Sequence, residues 1–199
     1  MAAYPKIISN CTPRHKHPLS LCEGLAPYKC NGCKEYGANI GYRCNFCPNF
    51  TLHEVCGAYP DSYVHPFYPT LEFRFRKKTC MSHECDACGE VLKGFMYQSP
   101  RPNLLKPLRL HPLCIALPTS LNYSAHEEHP VQLIMETGGT FSCSRCNENK
   151  SGWSYRCDEM ACRLRVDLVC VKVDINGLPE HGIASMKYDR WLLGNCCCT

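Results

Sequence analysis

The sequence lacks any apolar run approaching the roughly eighteen residues of a bilayer-crossing helix, so no membrane-spanning helix is expected. The stretch from Met1 to Asn10 holds no apolar segment of the secretory kind, which points to a reducing compartment, cytoplasm or nucleus. Also absent are His-Glu-x-x-His, Gly-x-Ser-x-Gly and a phosphate-binding glycine loop, so the chain is expected not to be an enzyme. Charge of one sign is scarce as well. A net charge of +4 is mild and spread out. The densest basic run, Arg74-Phe75-Arg76-Lys77-Lys78, follows Phe73 in an alternating pattern and reads as the polar face of an exposed strand, with no strong pointer to nucleic acid.

Cysteine is what the chain has in excess. Nineteen in 199 residues mark either a secreted disulfide scaffold or a set of metal sites, and the odd count together with the reducing compartment favours metal. The chain also repeats itself about every sixty residues. Cys-x-x-Cys occurs at Cys30/Cys33, Cys85/Cys88 and Cys143/Cys146; ten residues intervene before Cys44, Ser99 and Cys157, each preceded two positions earlier by Tyr42, Tyr97 or Tyr155. Leu52-His53 with Cys56, Leu110-His111 with Cys114 and Val166-Asp167 with Cys170 complete the register. The expected modules are 11–66, 67–125 and 126–184, followed by a cysteine-terminated tail, 185–199. Units this short, rich in proline and glycine and without long amphipathic periodicity, bury little apolar surface. A structural zinc, with roughly 10–16 kcal/mol of apparent binding free energy, is the expected organiser.

Module one offers eight candidate ligands, enough for two tetrahedral sites. The middle module decides how they pair. It keeps Cys85, Cys88, His111 and Cys114, whereas Ser99 stands for Cys44, Pro102 for Cys47 and Tyr123 for His65. One set of four survives while its complement vanishes together, so the two sites are interleaved along the chain. Module one is thus expected to hold zinc at Cys30, Cys33, His53 and Cys56, and at His17, Cys44, Cys47 and His65. Module three is expected to hold it at Cys143, Cys146, Asp167 and Cys170, and at His129, Cys157, Cys162 and His181. The expected total is about five zinc ions.

His15-Lys16-His17-Pro18-Leu19-Ser20-Leu21, Tyr42-Arg43-Cys44 and Leu52-His53-Glu54-Val55-Cys56 carry a resemblance. With the order of ligands they resemble the regulatory zinc domain of protein kinase C, in the form of its plant relatives, the cysteine/histidine-rich divergent C-one (C1) domain family. That resemblance implies a small zinc-stabilised α+β fold. It would comprise three tandem cross-braced zinc modules, each with short antiparallel strands and a short helix near His-x-x-Cys. It also implies a non-catalytic adaptor in plant intracellular signalling, with stress or defence as the setting, that holds a protein partner.

Relatives that grip diacylglycerol or phorbol ester need an apolar rim, and the polar stretches Lys34 to Asn39 and Asn147 to Ser151 argue against it here. A histone-reading homeodomain-type finger fits the first repeat but not its copy, which has no later Cys-x-x-Cys after Cys170. A disulfide reductase would need its Cys-x-x-Cys pair free of metal. Two further features stand outside the ligand sets. The tail Cys196-Cys197-Cys198 is compatible with lipidation and membrane association. Leu104 and Leu105, in the proline-rich loop from Ser99 to Arg109, are a candidate contact for the protein partner.

Overall fold

The computed structural model describes residues 4–9, 12, 15–77, 83–100, 106–136, 138–159, 161–175 and 178. Three four-stranded antiparallel sheets follow one another along the chain, each built in the same strand order and closed by a helix. The first comprises β1 (Ile7–Ile8), β2 (Leu19–Lys29), β3 (Tyr36–Cys44) and β4 (Thr51–Leu52), then α1 (Glu54–Gly57). The second comprises β5 (Ser62–Val64), β6 (Glu72–Arg76), β7 (Met96–Gln98) and β8 (Arg109–Leu110), then α2 (Pro112–Ile115). In the third, β9 (Ser120–Tyr123), β10 (His126–Ile134), β13 (Ser154–Cys157) and β14 (Arg165–Asp167) form the sheet; a separate hairpin, β11 (Thr140–Ser142) with β12 (Asn149–Ser151), is inserted before β13, and α3 (Leu168–Ile175) follows.

The repeated tyrosine explains where each unit begins. Tyr42, Tyr97 and Tyr155 are buried, and each hydroxyl donates to a proline carbonyl 37 residues earlier, Pro5, Pro60 and Pro118. A buried phenol needs such a partner. The bond fastens the first strand of each sheet to the third, so the boundaries expected at 66/67 and 125/126 are corrected: β5 pairs with β6 and β9 with β10, each lying before the expected boundary. In β6, Phe73 is buried while Glu72, Arg74 and Arg76 are exposed, the alternation expected of a half-buried strand.

Successive units are joined by a backbone hook. The Phe95 amide donates to the Gly32 carbonyl at 3.0 Å, and the Trp153 amide donates to the Ala87 carbonyl at 2.8 Å. Phe95 and Trp153 stand two residues before the anchor tyrosines, and Gly32 and Ala87 stand just before the second cysteine of a Cys-x-x-Cys pair. Glycine precedes each donor because the approach is close: a Cβ on Gly94 would overlap the Gly32 carbonyl, and one on Gly152, at φ +92°, would lie 2.5 Å from the Ala87 oxygen. Phe95 is thereby buried in the core of the first unit with Leu19, Tyr42 and Leu52, while the second and third units share one core.

Candidate metal centres

Each Cys-x-x-Cys pair sits on a tight turn of the same construction. The residue after the second cysteine, Lys34, Gly89 or Asn147, has a positive φ of 70°, 74° or 57°, and its amide donates to the carbonyl of the first cysteine at 3.0, 2.9 or 2.8 Å. The first cysteine's amide in turn donates to Glu35, Glu90 or Glu148. Asn31, Asp86 and Ser144 then tie the turn to the strand that leads to the fourth donor. Their amides donate to the carbonyls of Thr51, Arg109 and Arg165, whose own amides donate back to Asn31 Oδ1, Asp86 Oδ2 and Ser144 Oγ. His53 and His111 follow directly and cap α1 and α2, which carry Cys56 and Cys114.

Among the described residues, five groups of donor atoms gather with all atoms of a group within 4.8 Å of one another. Three are the expected sets: Cys30, Cys33, His53 and Cys56; Cys85, Cys88, His111 and Cys114; and Cys143, Cys146, Asp167 and Cys170. Zinc–sulfur and zinc–nitrogen bonds of about 2.3 and 2.0–2.1 Å at tetrahedral angles place ligand atoms about 3.6–3.8 Å apart. The observed separations agree: 3.3 and 3.8 Å from His53 Nδ1 to Cys33 and Cys56 Sγ, 3.5 and 3.9 Å from His111 Nδ1 to Cys88 and Cys114 Sγ, and 3.6 Å from Cys146 Sγ to Asp167 Oδ2. His53 Nε2 lies 3.0 Å from the Tyr36 carbonyl, which fixes the ring with Nδ1 toward the sulfurs. Asp167 Oδ1 accepts the amides of Val169 and Cys170 at 2.8 and 3.1 Å, leaving Oδ2 for the cluster.

The electrostatics of these groups call for a cation. Burial pushes the thiol of Cys30 up, but hydrogen bonds from Cys33 and Cys56 and the charge of His53 outweigh it and hold that thiol well below its ordinary range. Cys33 and Cys56 are pushed well above it, first by burial and then by the anionic neighbour. Three sulfurs crowded together cannot all ionise by themselves. A divalent cation allows it, and this donor chemistry fits zinc.

The remaining two groups correct the expected ligand sets. His17, Cys44 and Cys47 come together with His15, and His65 is not among them. Cys47 Sγ lies 3.4 Å from His17 Nδ1, and the amides of Phe46 and Cys47 donate to Cys44 Sγ. His15 is buried, stacked 3.7 Å from the Phe50 ring, and neither ring nitrogen has a partner among the described residues, as befits a ring aimed at a metal.

His65 belongs to the second unit instead, where it directly follows β5. It packs 4.8 Å from the Trp153 ring contributed by the third unit, and burial lowers its pKa to about 4. Ser99, at the position of Cys44, bonds to backbone, accepting the Leu108 amide and donating to the Pro100 carbonyl. Tyr123 likewise ends β9 and donates to Asp174.

In the third unit His129 and Cys157 are joined by His126, and Cys162 Sγ approaches His126 Nε2 at 3.7 Å. The buried His129 Nδ1 has no partner among the described residues. His181 lies outside the described residues, as do Leu104, Leu105 and Cys196, Cys197 and Cys198. The signal for the missed ligands was a second histidine within three residues, His15 with His17 and His126 with His129.

The family model described as the C1 domain matches residues 13–57 and 124–171. Those two stretches hold four of the five clusters. No curated protein and no solved structure matches the chain.

Proposed function

We propose that the chain, which the C1-domain model matches at residues 13–57 and 124–171, is a zinc-organised, non-catalytic adaptor of plant intracellular signalling, built of three divergent C1-type cysteine/histidine-rich units and working by holding a protein partner. The middle unit is read as a third copy that keeps one metal centre, which makes the complement about five zinc ions. The observation that carries the proposal is the four-donor closure of the clusters at Cys30, Cys85 and Cys143. Four protein ligands leave no position for substrate, and such closed sites are structural. Zinc would be held in the first unit by Cys30, Cys33, His53 and Cys56 and by His15, His17, Cys44 and Cys47; in the middle unit by Cys85, Cys88, His111 and Cys114; and in the third by Cys143, Cys146, Asp167 and Cys170 and by His126, His129, Cys157 and Cys162. Bound there, it supplies cross-links that a small core cannot.

The competing readings find less support. In the first unit the stretch between the two cysteine pairs is taken up by β3, paired along its length with β2, which leaves little open loop to grip a lipid. Redox exchange needs a thiolate that is not committed to metal. The plant and signalling setting rests on the resemblance of the His15 to Leu21, Tyr42 to Cys44 and Leu52 to Cys56 segments.

The test is proximity labelling and pull-down from plant extract with zinc-loaded and chelator-treated protein. Reproducible partners captured only by the zinc-loaded form are expected. Equal capture after chelation, or insulin-disulfide reduction by the zinc-loaded protein, would overturn the proposal.

A further inference from the structure

Side chains from the first and third units meet at the metal cluster of the second. Lys172, on α3, is buried, and its ammonium ion-pairs with Glu35, which follows Cys33 and its neighbour Lys34 in the first unit. The same Nζ lies 3.6 Å from Cys114 Sγ and 3.9 Å from Cys88 Sγ. Glu35 Oε1 lies 3.9 Å from His111 Nδ1, the fourth donor of that cluster. Lys172 can reach because α3 continues to Ile175, whereas α1 and α2 stop at Gly57 and Ile115; the residues at its place in the other units are Ala58 and Ala116. Of the glutamates that follow the three cysteine turns, the Glu35 side chain is 18% exposed and that of Glu148 is 51% exposed.

The chemistry of this contact depends on the metal. Three thiolates and a neutral imidazole around a divalent cation carry one net negative charge. The buried ammonium lies between two of these sulfurs and the Glu35 carboxylate, one positive charge shared by two negative groups. A buried lysine with such partners is stabilised, whereas one that loses them leaves an uncompensated charge in a low-dielectric interior.

We propose that the middle metal cluster is a latch: when filled, it ties the first and third units to the second through Glu35 and Lys172, in addition to the backbone hooks and the shared core, and when the metal leaves, this tie to both outer units is lost at once. The proposal rests on the zinc-filled reading of the clusters. It makes the middle unit the point at which chelation or thiol oxidation would change the arrangement of the whole chain, and so its adaptor surface.

Hydrogen exchange on the full-length, zinc-loaded chain, with metal counted by native mass spectrometry, tests it. Lys172→Met is expected to keep its zinc count while exchange in residues 30–36 and 85–92 rises at least tenfold. Glu35→Gln is expected to give the same rise in residues 168–175, and it carries the test should Lys172→Met fail to fold. Cys88→Ser, which removes a middle ligand, should lose one zinc ion and loosen both outer segments. A rise confined to the substituted residue's own unit, with the zinc count unchanged, overturns the latch alone. An unchanged metal count in Cys88→Ser shows that the middle cluster is not filled, and overturns the zinc reading with it.

Discussion

At the scale of single residues, the described histidines divide into six that gather with sulfur and two, His65 and His83, that do not. His15 offers one ring nitrogen to the cluster of His17, Cys44 and Cys47, whereas His65 packs among Phe67 and Trp153. His15→Ala is therefore expected to cost about one zinc ion or weaken its binding at least tenfold. His65→Ala should leave the metal count intact, and metal analysis of the two purified variants separates them. His65 also makes a prediction about pH. Its folded pKa, about 4, lies below the ordinary 6.5 or so of the unfolded chain. The unfolded state therefore binds more protons between those values. Stability from this group is complete above about 6.5 and falls as pH drops toward about 4. The His65 ring resonances should show no titration step near pH 6.5, and a step there would contradict its burial.

At the scale of elements, the hooks and the cysteine turns position everything else. Gly94→Ala and Gly152→Ala push a methyl group against the carbonyls of Gly32 and Ala87. Each is expected to destabilise the chain by about 1–3 kcal/mol, read by denaturant unfolding of the zinc-loaded protein. Zinc stoichiometry should not change, because the new methyl groups meet backbone atoms and no donor atom. The sequence made the Cys-x-x-Cys pairs, the repeated tyrosines, the strand around Phe73 and three of the donor sets legible, because metal-ligand spacing and strand alternation are local properties. It did not reveal which chain segment completes a sheet. Pro5, Pro60 and Pro118 reach across 37 residues to their tyrosines, and nothing in the local pattern signals a bond at that separation. Local spacing therefore groups His65 with the cysteines before it rather than with the strand it follows. A related limit hides His15 and His126. A run such as His15-Lys16-His17 leaves open how many of its rings turn inward, and the packing of Phe50 and the bulge in β10 between His126 and Val131 settle it.

At the scale of the whole molecule, metal content and stability should follow the uneven distribution of clusters, two in the first unit, one in the second and two in the third. Metal analysis of the purified chain is expected to give about five zinc ions, and a value near six would refute the loss of a site beside Ser99. Cys88→Ser should expose the middle unit to protease more completely than Cys44→Ser exposes the first, since the first keeps its other cluster. The backbone hook has a consequence of its own. Only the middle unit carries both halves of it, giving through Gly94 and Phe95 and receiving through Ala87. In the first unit the giving position holds Asn39 and Ile40, and in the third the receiving position holds Arg145, clasped by Asp174 at 2.7 and 2.9 Å. The middle unit is thus the extensible segment of the chain. An in-frame duplication of residues 60–117 would present each new copy with a small residue to dock on and a glycine to dock with, lengthening the array by one unit and one metal. Duplicating the third unit would set a clasped arginine against the incoming glycine and break the array at that joint.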